Sequence, residues 1–305
     1  MNISIKVLFT ALFFIMIDSS NNNTYQQTLS EPLLIEGIGL HSGIEVSMKL
    51  IPAESNTGIK FYRTDLKKNN EIDALWSNVS NTQLSTTISN IYGAKVSTIE
   101  HLMSALSGLH IDNLKIEING PEVPIMDGSS KDFVDLIESI PLKNLNQKRK
   151  IILIKKKIKV KNDNGKVELK PNNQFSIDFE IDFPSKIISK QSCQLQLVNG
   201  NYKTDIASAR TFGFEKDVDK LRSNGLALGG SLENAVVVGE NRILNEEGLR
   251  FKDEFVRHKI LDSIGDLYLA GAPIQGYFLG SKSGHHLNNL LLKSLFSDES
   301  NYEFI

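Results

Sequence analysis

Three polar residues at four-residue steps, His258, Asp262 and Asp266, are the part of the chain best suited to chemistry. A step of four places side chains on one face of a helix, and apolar residues return on the opposite face at three- and four-residue steps. Residues 257–266 are therefore predicted to form a helix that ends where glycine and proline follow. The apolar face comprises Val256, Ile260, Ile264 and Leu267.

His258 and Asp262 offer an imidazole nitrogen and a carboxylate oxygen one helical turn apart, which suits two ligands of a tetrahedral metal ion. Two ligands do not make a site, and the same spacing is typical of an ordinary ion pair on a solvated helix face. The pattern alone leaves both interpretations open, so a further ligand has to come from elsewhere in the chain.

A second candidate pair is Glu100 and His101, at the start of another predicted helix. Ser97 and Glu100 stand three residues apart, as in a capping box, in which the glutamate side chain bonds the backbone at the serine. In the functional alternative, His101 ligates a metal and Glu100 is the base for the attacking water. A helix cap needs no catalysis, so the spacing does not decide between the two.

The composition limits the kinds of site available. The chain has 305 residues, of which 40% are hydrophobic and 23% charged, and this length is sufficient for two globular domains. A formal charge of -2 gives no overall attraction to nucleic acid or anionic lipid. The single cysteine, Cys193, excludes an internal disulfide framework and a multi-cysteine metal site. Metal ligands must therefore be histidine and carboxylate.

The order of predicted elements indicates an α+β protein with two domains. In each half the strands come first and the helices last, so we expect each helical pair to cover one face of a mostly antiparallel sheet. The polar and basic residues 141–149 read as a linker between two periodic regions. We therefore place the first domain at residues 24–140 and the second at residues 150–305.

Two stretches of the second half carry more specific expectations. Residues 194–198 and 202–206 are predicted strands on either side of an Asn-Gly turn at residues 199 and 200. Basic residues between 148 and 161 alternate partly with isoleucine, a pattern that is compatible with contact to phosphate or anionic lipid. The same alternation is more typical of a strand with one solvated face, which is the interpretation we prefer.

The first residues of the chain allow two interpretations. An apolar run at residues 7–17 follows Lys6 and precedes a polar tract, which resembles the core of a short signal peptide. The positive charge before the run is slight, and no clear small-residue cleavage site follows it. We therefore interpret residues 1–23 as an N-terminal extension outside the fold, with an exported hydrolase as the alternative.

Five motifs occur in the order and approximate spacing of one family. The chain resembles the zinc-dependent UDP-3-O-acyl-N-acetylglucosamine deacetylases of lipid A biosynthesis, the LpxC family, over residues 27–296. Each motif alone is weak, whereas the ordered set of five is specific. The motifs are T-I-E-H at residues 98–101, P-I-M-D-G-S at 124–129, A-R-T-F-G at 209–213, H-K-x-x-D at 258–262 and S-G-H at 283–285.

The resemblance implies a two-domain sandwich with the metal at the domain interface. His101, His258 and Asp262 match the zinc ligands of the family, and Glu100 matches its general base. Two imidazoles and one carboxylate leave one position of a tetrahedral zinc open, as a hydrolase requires.

The resemblance also implies roles for residues around the metal. His285 matches a histidine that is cationic or acts as an acid, and Asp266 matches the carboxylate that orients it. Lys259 and Thr211 match residues that hold the reacting carbonyl and its developing oxyanion, and Phe212 matches a residue at the substrate site. Positive charge and a hydroxyl near an oxyanion stabilise it.

The reaction implied by the resemblance is removal of acetate from a UDP-linked, 3-O-acylated N-acetylglucosamine. We expect a cytoplasmic monomer with a small-molecule substrate, peripheral contact with the inner membrane and no nucleic-acid partner. The alternative is a catalytically silent, metal-containing protein of the same fold that binds UDP-sugar or lipid. The presence of every expected catalytic side chain argues against this alternative.

Overall fold

The protein is described here by a computed structural model, and the structure describes residues 24–198 and 200–305. The N-terminal extension 1–23, with its apolar run, and the asparagine of the predicted Asn-Gly turn lie outside the described residues. The buried apolar side chains form one continuous core cluster that includes both halves of the chain.

The described residues form short strands interrupted by helices. The helices are α1 (Glu100–Gly108), α2 (Lys131–Glu138), α3 (Tyr202–Asp205), α4 (Glu215–Ser223), α5 (Glu254–Tyr268) and α6 (His285–Phe296). The strands are β1 (Tyr25–Leu29), β2 (Leu33–Ile38), β3 (Glu45–Pro52), β4 (Ile59–Arg63), β5 (Glu71–Asp73), β6 (Val79–Asn81), β7 (Thr87–Ser89), β8 (Lys95–Val96), β9 (Leu114–Ile118), β10 (Leu142–Lys148), β11 (Ile152–Ile154), β12 (Ile158–Lys161), β13 (Lys166–Lys170), β14 (Ser176–Asp182), β15 (Lys190–Gln196), β16 (Phe212–Phe214), β17 (Val236–Val238), β18 (Ile274–Gln275), β19 (Tyr277–Ser281) and β20 (Tyr302–Phe304).

The main sheet of the first half has five strands in the order β2-β3-β9-β4-β5. Neighbouring strands are antiparallel except for β4 and β9, which run parallel. Strand β9 shows why the sequence forms this layer: Leu114, Ile116 and Ile118 are buried, while the alternate Lys115 and Glu117 are exposed. This period of two gives the sheet one apolar face, on which the helices can pack.

The main sheet of the second half repeats the same arrangement, with strand order β12-β13-β19-β14-β15 and one parallel pair, β14 with β19. In each half, one helix precedes the central strand and another follows it: α1 and α2 flank β9, whereas α5 and α6 flank β19. The prediction of an α+β fold with mostly antiparallel sheets is confirmed.

The helices of the two halves meet at the centre of the molecule. Helix α5 contacts β14 and β15 of its own sheet and also packs along α1 of the first half, while α6 contacts β12 and β13. The helix predicted from residues 257–266 is confirmed and lies within α5. Its polar face is turned toward α1 rather than toward solvent.

Four smaller sheets among the described residues complete the fold. Strands β6, β7 and β8 form a three-stranded sheet, and β16 pairs in parallel with β17. The other two small sheets are β18-β11-β20 and β1-β10. Thr86, just before β7, accepts a hydrogen bond from the backbone at the start of α1. Ala209, shortly before β16, contacts His258 on α5.

Residues 141–149, which we expected to link the two domains, contain strand β10, paired antiparallel with β1. Because β10 buries only Leu145, its polar composition reflects a solvated two-stranded ribbon rather than an unstructured segment. The domain boundaries themselves stay a prediction.

Residues Tyr202–Asp205, predicted as a strand, form the short helix α3, so this prediction is wrong. Tertiary contact explains the difference, because the Tyr202 ring packs against Gly108 of α1 and its hydroxyl donates a hydrogen bond of 2.9 Å to Ser104. A local pattern of aromatic and threonine residues does not contain that information.

The basic run forms strands β11 and β12, and the preference for a strand with a solvated face is confirmed. Lys157 and Lys159 both form ion pairs with Glu168 on the neighbouring strand β13, at 2.9 and 3.1 Å. Since these cations face a carboxylate, the strand offers no ready-made anion site.

No helix among residues 24–198 and 200–305 has the length and apolar character needed to cross a lipid bilayer.

Candidate active site

Helices α1 and α5 approach each other closely at Gly265. A Cβ atom on Gly265 would lie 2.0 Å from the carbonyl oxygen of Glu100, so only glycine fits at this crossing. The contact places the first residues of α1 directly against the middle of α5. As a result, the His258 to Asp266 stripe faces Glu100 and His101 from across the helix interface.

The histidine and carboxylate stripe of α5 and the start of α1 form a buried cluster that could hold a metal ion. One ligand atom from each of His101, His258 and Asp262 lies within 4.8 Å of the other two. The Asp262 Oδ1 atom is 3.3 Å from His258 Nε2 and 3.6 Å from His101 Nε2. All three side chains are buried, which argues against the alternative of a solvated His-Asp pair.

The orientation of His258 is set by its other ring nitrogen. With the imidazole in the tautomer that carries its proton on Nδ1, this nitrogen donates a hydrogen bond of 3.1 Å to the carbonyl oxygen of Ala209. The Nε2 atom is then left as the lone-pair donor facing Asp262. Burial lowers the pKa of His258 to about 3, so the ring is neutral and suited to ligating a metal.

The two carboxylate oxygens of Asp262 have different surroundings. Its Oδ2 atom accepts a hydrogen bond of 2.7 Å from Lys259, whereas the buried Oδ1 atom has no hydrogen-bond partner. Burial alone would raise the pKa of Asp262, but His258 and Lys259 hold it well below its usual range. A buried, ionised and unpartnered oxygen beside two imidazoles, of which His258 is neutral, fits a divalent cation.

A second cluster adjoins the first through Glu100. Its Oε1 atom lies 3.9 Å from His285 Nε2, and His285 Nδ1 donates a hydrogen bond of 2.9 Å to Asp266 Oδ2. Thr86 completes the cluster, since its backbone N–H donates to Glu100 Oε2 at 3.0 Å and its hydroxyl donates to Asp266 Oδ1 at 2.6 Å. Four residues thus form a closed ring of contacts.

The pKa shifts of Glu100 and His285 suit a proton acceptor and a proton donor, respectively. Burial raises the pKa of Glu100, even though His285 and His101 act to lower it. Burial alone would lower the pKa of His285, but the carboxylates of Asp266 and Glu100 raise it to about 9. A basic carboxylate next to an imidazolium that is charged at neutral pH forms a proton acceptor beside a proton donor.

The remaining predicted site residues lie on the side of the metal cluster that faces the β16-β17 pair. The Phe212 ring stands at a centroid distance of 6.1 Å from His258, and Lys259 Nζ lies 5.6 Å from the centre of the same ring. Thr211 precedes Phe212, and its backbone is held between Gly128 and Val236 by hydrogen bonds of 2.7 and 2.8 Å. Ala209 and Phe212 of this segment therefore both contact His258.

The capping box at Ser97, one of the two interpretations left open for this motif, is not formed. Helix α1 has Ile99 as its N-terminal flanking residue and no side-chain cap, while the Ser97 hydroxyl donates to the carbonyl of Pro121. Glu100 turns instead toward Thr86 and His285. The functional alternative at this motif is thus the one compatible with the geometry.

The adjacent His285 and His286, which residue type does not distinguish, have different surroundings. His285 is buried in the ring, whereas His286 is exposed and lies 3.5 Å from the Thr82 hydroxyl. His41 and His110 lie outside the metal cluster.

An ion-pair network that sequence reasoning missed anchors the strand beside His258. Arg210 is 2% exposed, and its backbone N–H and its Nε atom both donate to Glu254 Oε1, at 3.0 and 2.9 Å. Glu254 begins α5, so the helix that carries His258 also fixes the backbone next to Ala209, the hydrogen-bond acceptor of that histidine. The available signal in the sequence was the presence of Arg210 in the A-R-T-F-G motif.

Thr86 was also missed, because in the sequence it is one of several threonine and serine residues in a segment that reads only as a strand. The contacts that distinguish it are to Glu100 and Asp266, which lie in two different helices. No local signal marks a residue whose partners are 14 and 180 positions away.

Comparison with known proteins places this site in a family context. The family profile described as "LpxC: UDP-3-O-acyl N-acetylglycosamine deacetylase" matches residues 26–297. Proteins named UDP-3-O-acyl-N-acetylglucosamine deacetylase are similar over nearly the whole chain. The one from Pseudoalteromonas atlantica is 47% identical over 282 residues, covering 92% of this chain and 93% of its own. Those from Syntrophus aciditrophicus and Haemophilus influenzae are 45% and 46% identical, covering 91% and 92% of this chain and 88% and 92% of their own. The matched residues include both clusters.

Proposed function

The chain belongs to the LpxC family of UDP-3-O-acyl-N-acetylglucosamine deacetylases, and on that premise we propose how its two buried clusters carry out the reaction. The protein is an amide hydrolase that acts on a small molecule in lipid A biosynthesis. It removes the acetyl group from the sugar amine of UDP-3-O-acyl-N-acetylglucosamine and leaves acetate and UDP-3-O-acyl-glucosamine.

The observation that carries this proposal is that a possible set of metal ligands lies next to a proton acceptor, Glu100, and a proton donor, His285. Asp262 Oδ1 is buried without a hydrogen-bond partner between two histidines, and the neighbouring residue of one of them is Glu100. Amide hydrolysis needs all three functions within reach of one carbonyl group.

We assign zinc as the metal, held by His101, His258 and Asp262. When bound, zinc would act as a Lewis acid that lowers the pKa of a ligated water and polarises the acetamide carbonyl. The neutral state of His258 and the ionised state of Asp262 favour cation binding without any prior proton loss by His258.

Glu100 takes a proton from the attacking water as the tetrahedral intermediate forms. Its pKa is raised by burial, which makes it a stronger base than an exposed carboxylate. The departing amine needs a proton, and His285 is the donor because it is the cationic group nearest to Glu100. Asp266 is a positioning residue that holds the charged form of His285.

Lys259 and the Thr211 hydroxyl stabilise the developing oxyanion, and Phe212 contacts the sugar or its substituents. The support for Lys259 is its position, since its ammonium lies between the Asp262 carboxylate and the Phe212 ring. A cation held by a metal ligand is preorganised for charge that develops at the metal side of the carbonyl.

The acyl chain is proposed to leave the centre along the loop of residues 225–231. Leu228 in this loop and Leu232 just after it are about half exposed, at 50% and 46% of their maximum. Ile44 is 50% exposed and follows Gly43, whose backbone lies against Leu228. Large exposed apolar side chains of this kind suit a hydrocarbon ligand. We propose a cytoplasmic monomer that meets the inner membrane at this apolar rim to collect its acylated substrate.

Substitution of the proposed base tests this mechanism. Glu100→Gln keeps the side-chain volume but cannot accept the proton, so acetate release should fall by about 10²- to 10⁴-fold while the metal content stays unchanged. An active Glu100→Gln protein would refute the assignment of the base. Wild-type protein and variant should be compared at equal metal loading.

A further inference from the structure

Thr86 joins helix α1, which carries Glu100, to helix α5, which carries Asp266. Its backbone is tied to the start of α1 twice, because its N–H donates to Glu100 Oε2 at 3.0 Å and its carbonyl accepts from Ile99 N at 3.4 Å. Its side chain reaches α5, where the hydroxyl donates to Asp266 Oδ1 at 2.6 Å. The residue is 2% exposed, so solvent does not replace these partners.

We propose that Thr86 is a positioning residue that fixes the base Glu100 relative to the donor His285 by holding the carboxylates of Glu100 and Asp266 at once. The inference rests on the proposed function, since it concerns the same proton transfers. It also gives the β6-β8 sheet a role in the reaction, because Thr86 directly precedes β7 of that sheet.

The ring geometry explains why two carboxylates have to be held together. From Thr86, one path runs through Glu100 to His285 Nε2, over the 3.9 Å gap, and the other runs through Asp266 to His285 Nδ1, over a 2.9 Å hydrogen bond. Thr86 does not titrate at accessible pH. It therefore keeps the acceptor and the donor at a constant separation while protons move on the other members of the ring.

The two oxygens of Asp266 have different partners. Oδ2 accepts hydrogen bonds from His285 Nδ1 and from Asn288 Nδ2, the latter at 2.8 Å, whereas Oδ1 accepts from the Thr86 hydroxyl. Without that hydroxyl, the carboxylate could rotate about its bond to Cβ and carry His285 with it. Such a movement of His285 would affect the rate, because proton transfer depends steeply on donor and acceptor geometry.

A pair of substitutions at Thr86 separates the hydroxyl from the shape of the side chain. Thr86→Val keeps the branched shape and the backbone N–H but removes the hydroxyl, while Thr86→Ser keeps the hydroxyl and loses only a methyl group. We expect Thr86→Val to lower kcat by about 10- to 100-fold with KM within about twofold of wild type and full metal content. Thr86→Ser should retain most of the wild-type kcat.

Thr28→Val is the matched control for loss of a buried threonine hydroxyl. The Thr28 hydroxyl is buried in β1 and donates to the Asn113 carbonyl at 2.6 Å, outside both clusters. It should lower thermal stability as Thr86→Val does and leave kcat unchanged. A wild-type kcat in Thr86→Val, or equal losses in Thr86→Val and Thr86→Ser, would overturn the inference.

Crystal structures of the two Thr86 variants keep this test separate from the proposed function. If wild-type protein released no acetate, the proposed function would fail, but the positional claim could still be decided. It predicts that Asp266 and His285 shift in Thr86→Val and keep their places in Thr86→Ser. Unchanged positions of both side chains in Thr86→Val would contradict it.

Discussion

Gly265 of α5 lies so close to the backbone of Glu100 in α1 that a Cβ atom on Gly265 would be 2.0 Å from the Glu100 carbonyl oxygen. This single approach brings the histidine and carboxylate stripe of one half of the chain to the Glu-His pair of the other. The distance between the two helices therefore sets the geometry of both clusters.

Gly265→Ala should destabilise the protein even though alanine is normally the better helix residue. The methyl group would meet backbone, which cannot give way as a flexible side chain could, and overpacking of this kind costs about 1–3 kcal/mol. Urea unfolding and metal content would measure the loss of stability and the separation of the ligands. Gly213→Ala, where a Cβ meets nothing within 4 Å, is the control. Equal stability of both variants would contradict this reading of the helix contact.

Asp262 and Asp266 lie one turn apart on the same helix but should respond differently to loss of charge. Asp262→Asn should abolish retention of the metal, because Oδ1 is the unpartnered ligand oxygen, whereas Asp266→Asn should retain one metal per chain and lose activity. Metal analysis after dialysis against a weak chelator would measure the difference. Full metal content in Asp262→Asn would rule out its assignment as a ligand.

The neighbouring histidines allow a matched comparison. His285→Gln should lower kcat by about 10²- to 10⁴-fold, because the proton donor to the leaving amine is lost. His286→Gln removes an exposed imidazole that does not contact Glu100 or Asp266, and it should leave kcat close to wild type. Steady-state kinetics of both variants with equal metal content would check this. A larger loss of kcat in His286→Gln than in His285→Gln would show that His285 is not the proton donor.

The pH dependence of stability should carry the signature of His285. The folded-state pKa of His285 is raised from 6.5 to about 9 by Asp266 and Glu100, against the opposing effect of burial, so the folded protein binds the proton more tightly than the unfolded chain. The resulting stabilisation is complete below about pH 6.5 and disappears as the pH rises through about 9. Unfolding free energies of metal-free wild-type protein and His285→Gln should therefore converge over that range. A difference that stays constant from pH 6 to about 10 would contradict the assigned proton.

Arg210 has one buried and one exposed acidic partner, so removal of each should lower the free energy of unfolding by a different amount. Glu254 is fully buried, so Glu254→Ala would leave the buried guanidinium without its main counterion and should destabilise the protein by about 3–5 kcal/mol. Glu247 is 58% exposed, and Glu247→Ala should have little effect on unfolding. Thermal and urea unfolding would measure both, and equal effects would show that burial does not govern this network.

Helix α5 could be predicted from the sequence because the spacing of His258, Asp262 and Asp266 and of the apolar residues behind them is a local property of the chain. The burial of that polar stripe could not be predicted from spacing alone. It depends on α1, which is supplied by a segment more than a hundred residues earlier and docked through Gly265. The motif set was needed to connect the two.

Two local patterns are overridden in the structure for the same physical reason. The Ser97 and Glu100 spacing suits a capping box, but the contacts of Glu100 with Thr86 and His285 compete for its carboxylate. Tyr202 has the β-propensity of an aromatic residue, yet its contact with Gly108 and Ser104 places it in a helix. In each case long-range packing overrides a correct local preference.

Acetate release by the purified full chain tests the central claim most directly, namely that the buried His-His-Asp centre hydrolyses the acetamide. The measurement compares 3-O-acylated UDP-N-acetylglucosamine with its unacylated counterpart, before chelation, after chelation and after zinc is restored. We predict rapid release from the acylated substrate alone, loss of release with chelator and recovery with zinc. A folded, zinc-loaded protein that binds the acylated substrate but releases no acetate would contradict the claim and favour a catalytically silent binding protein.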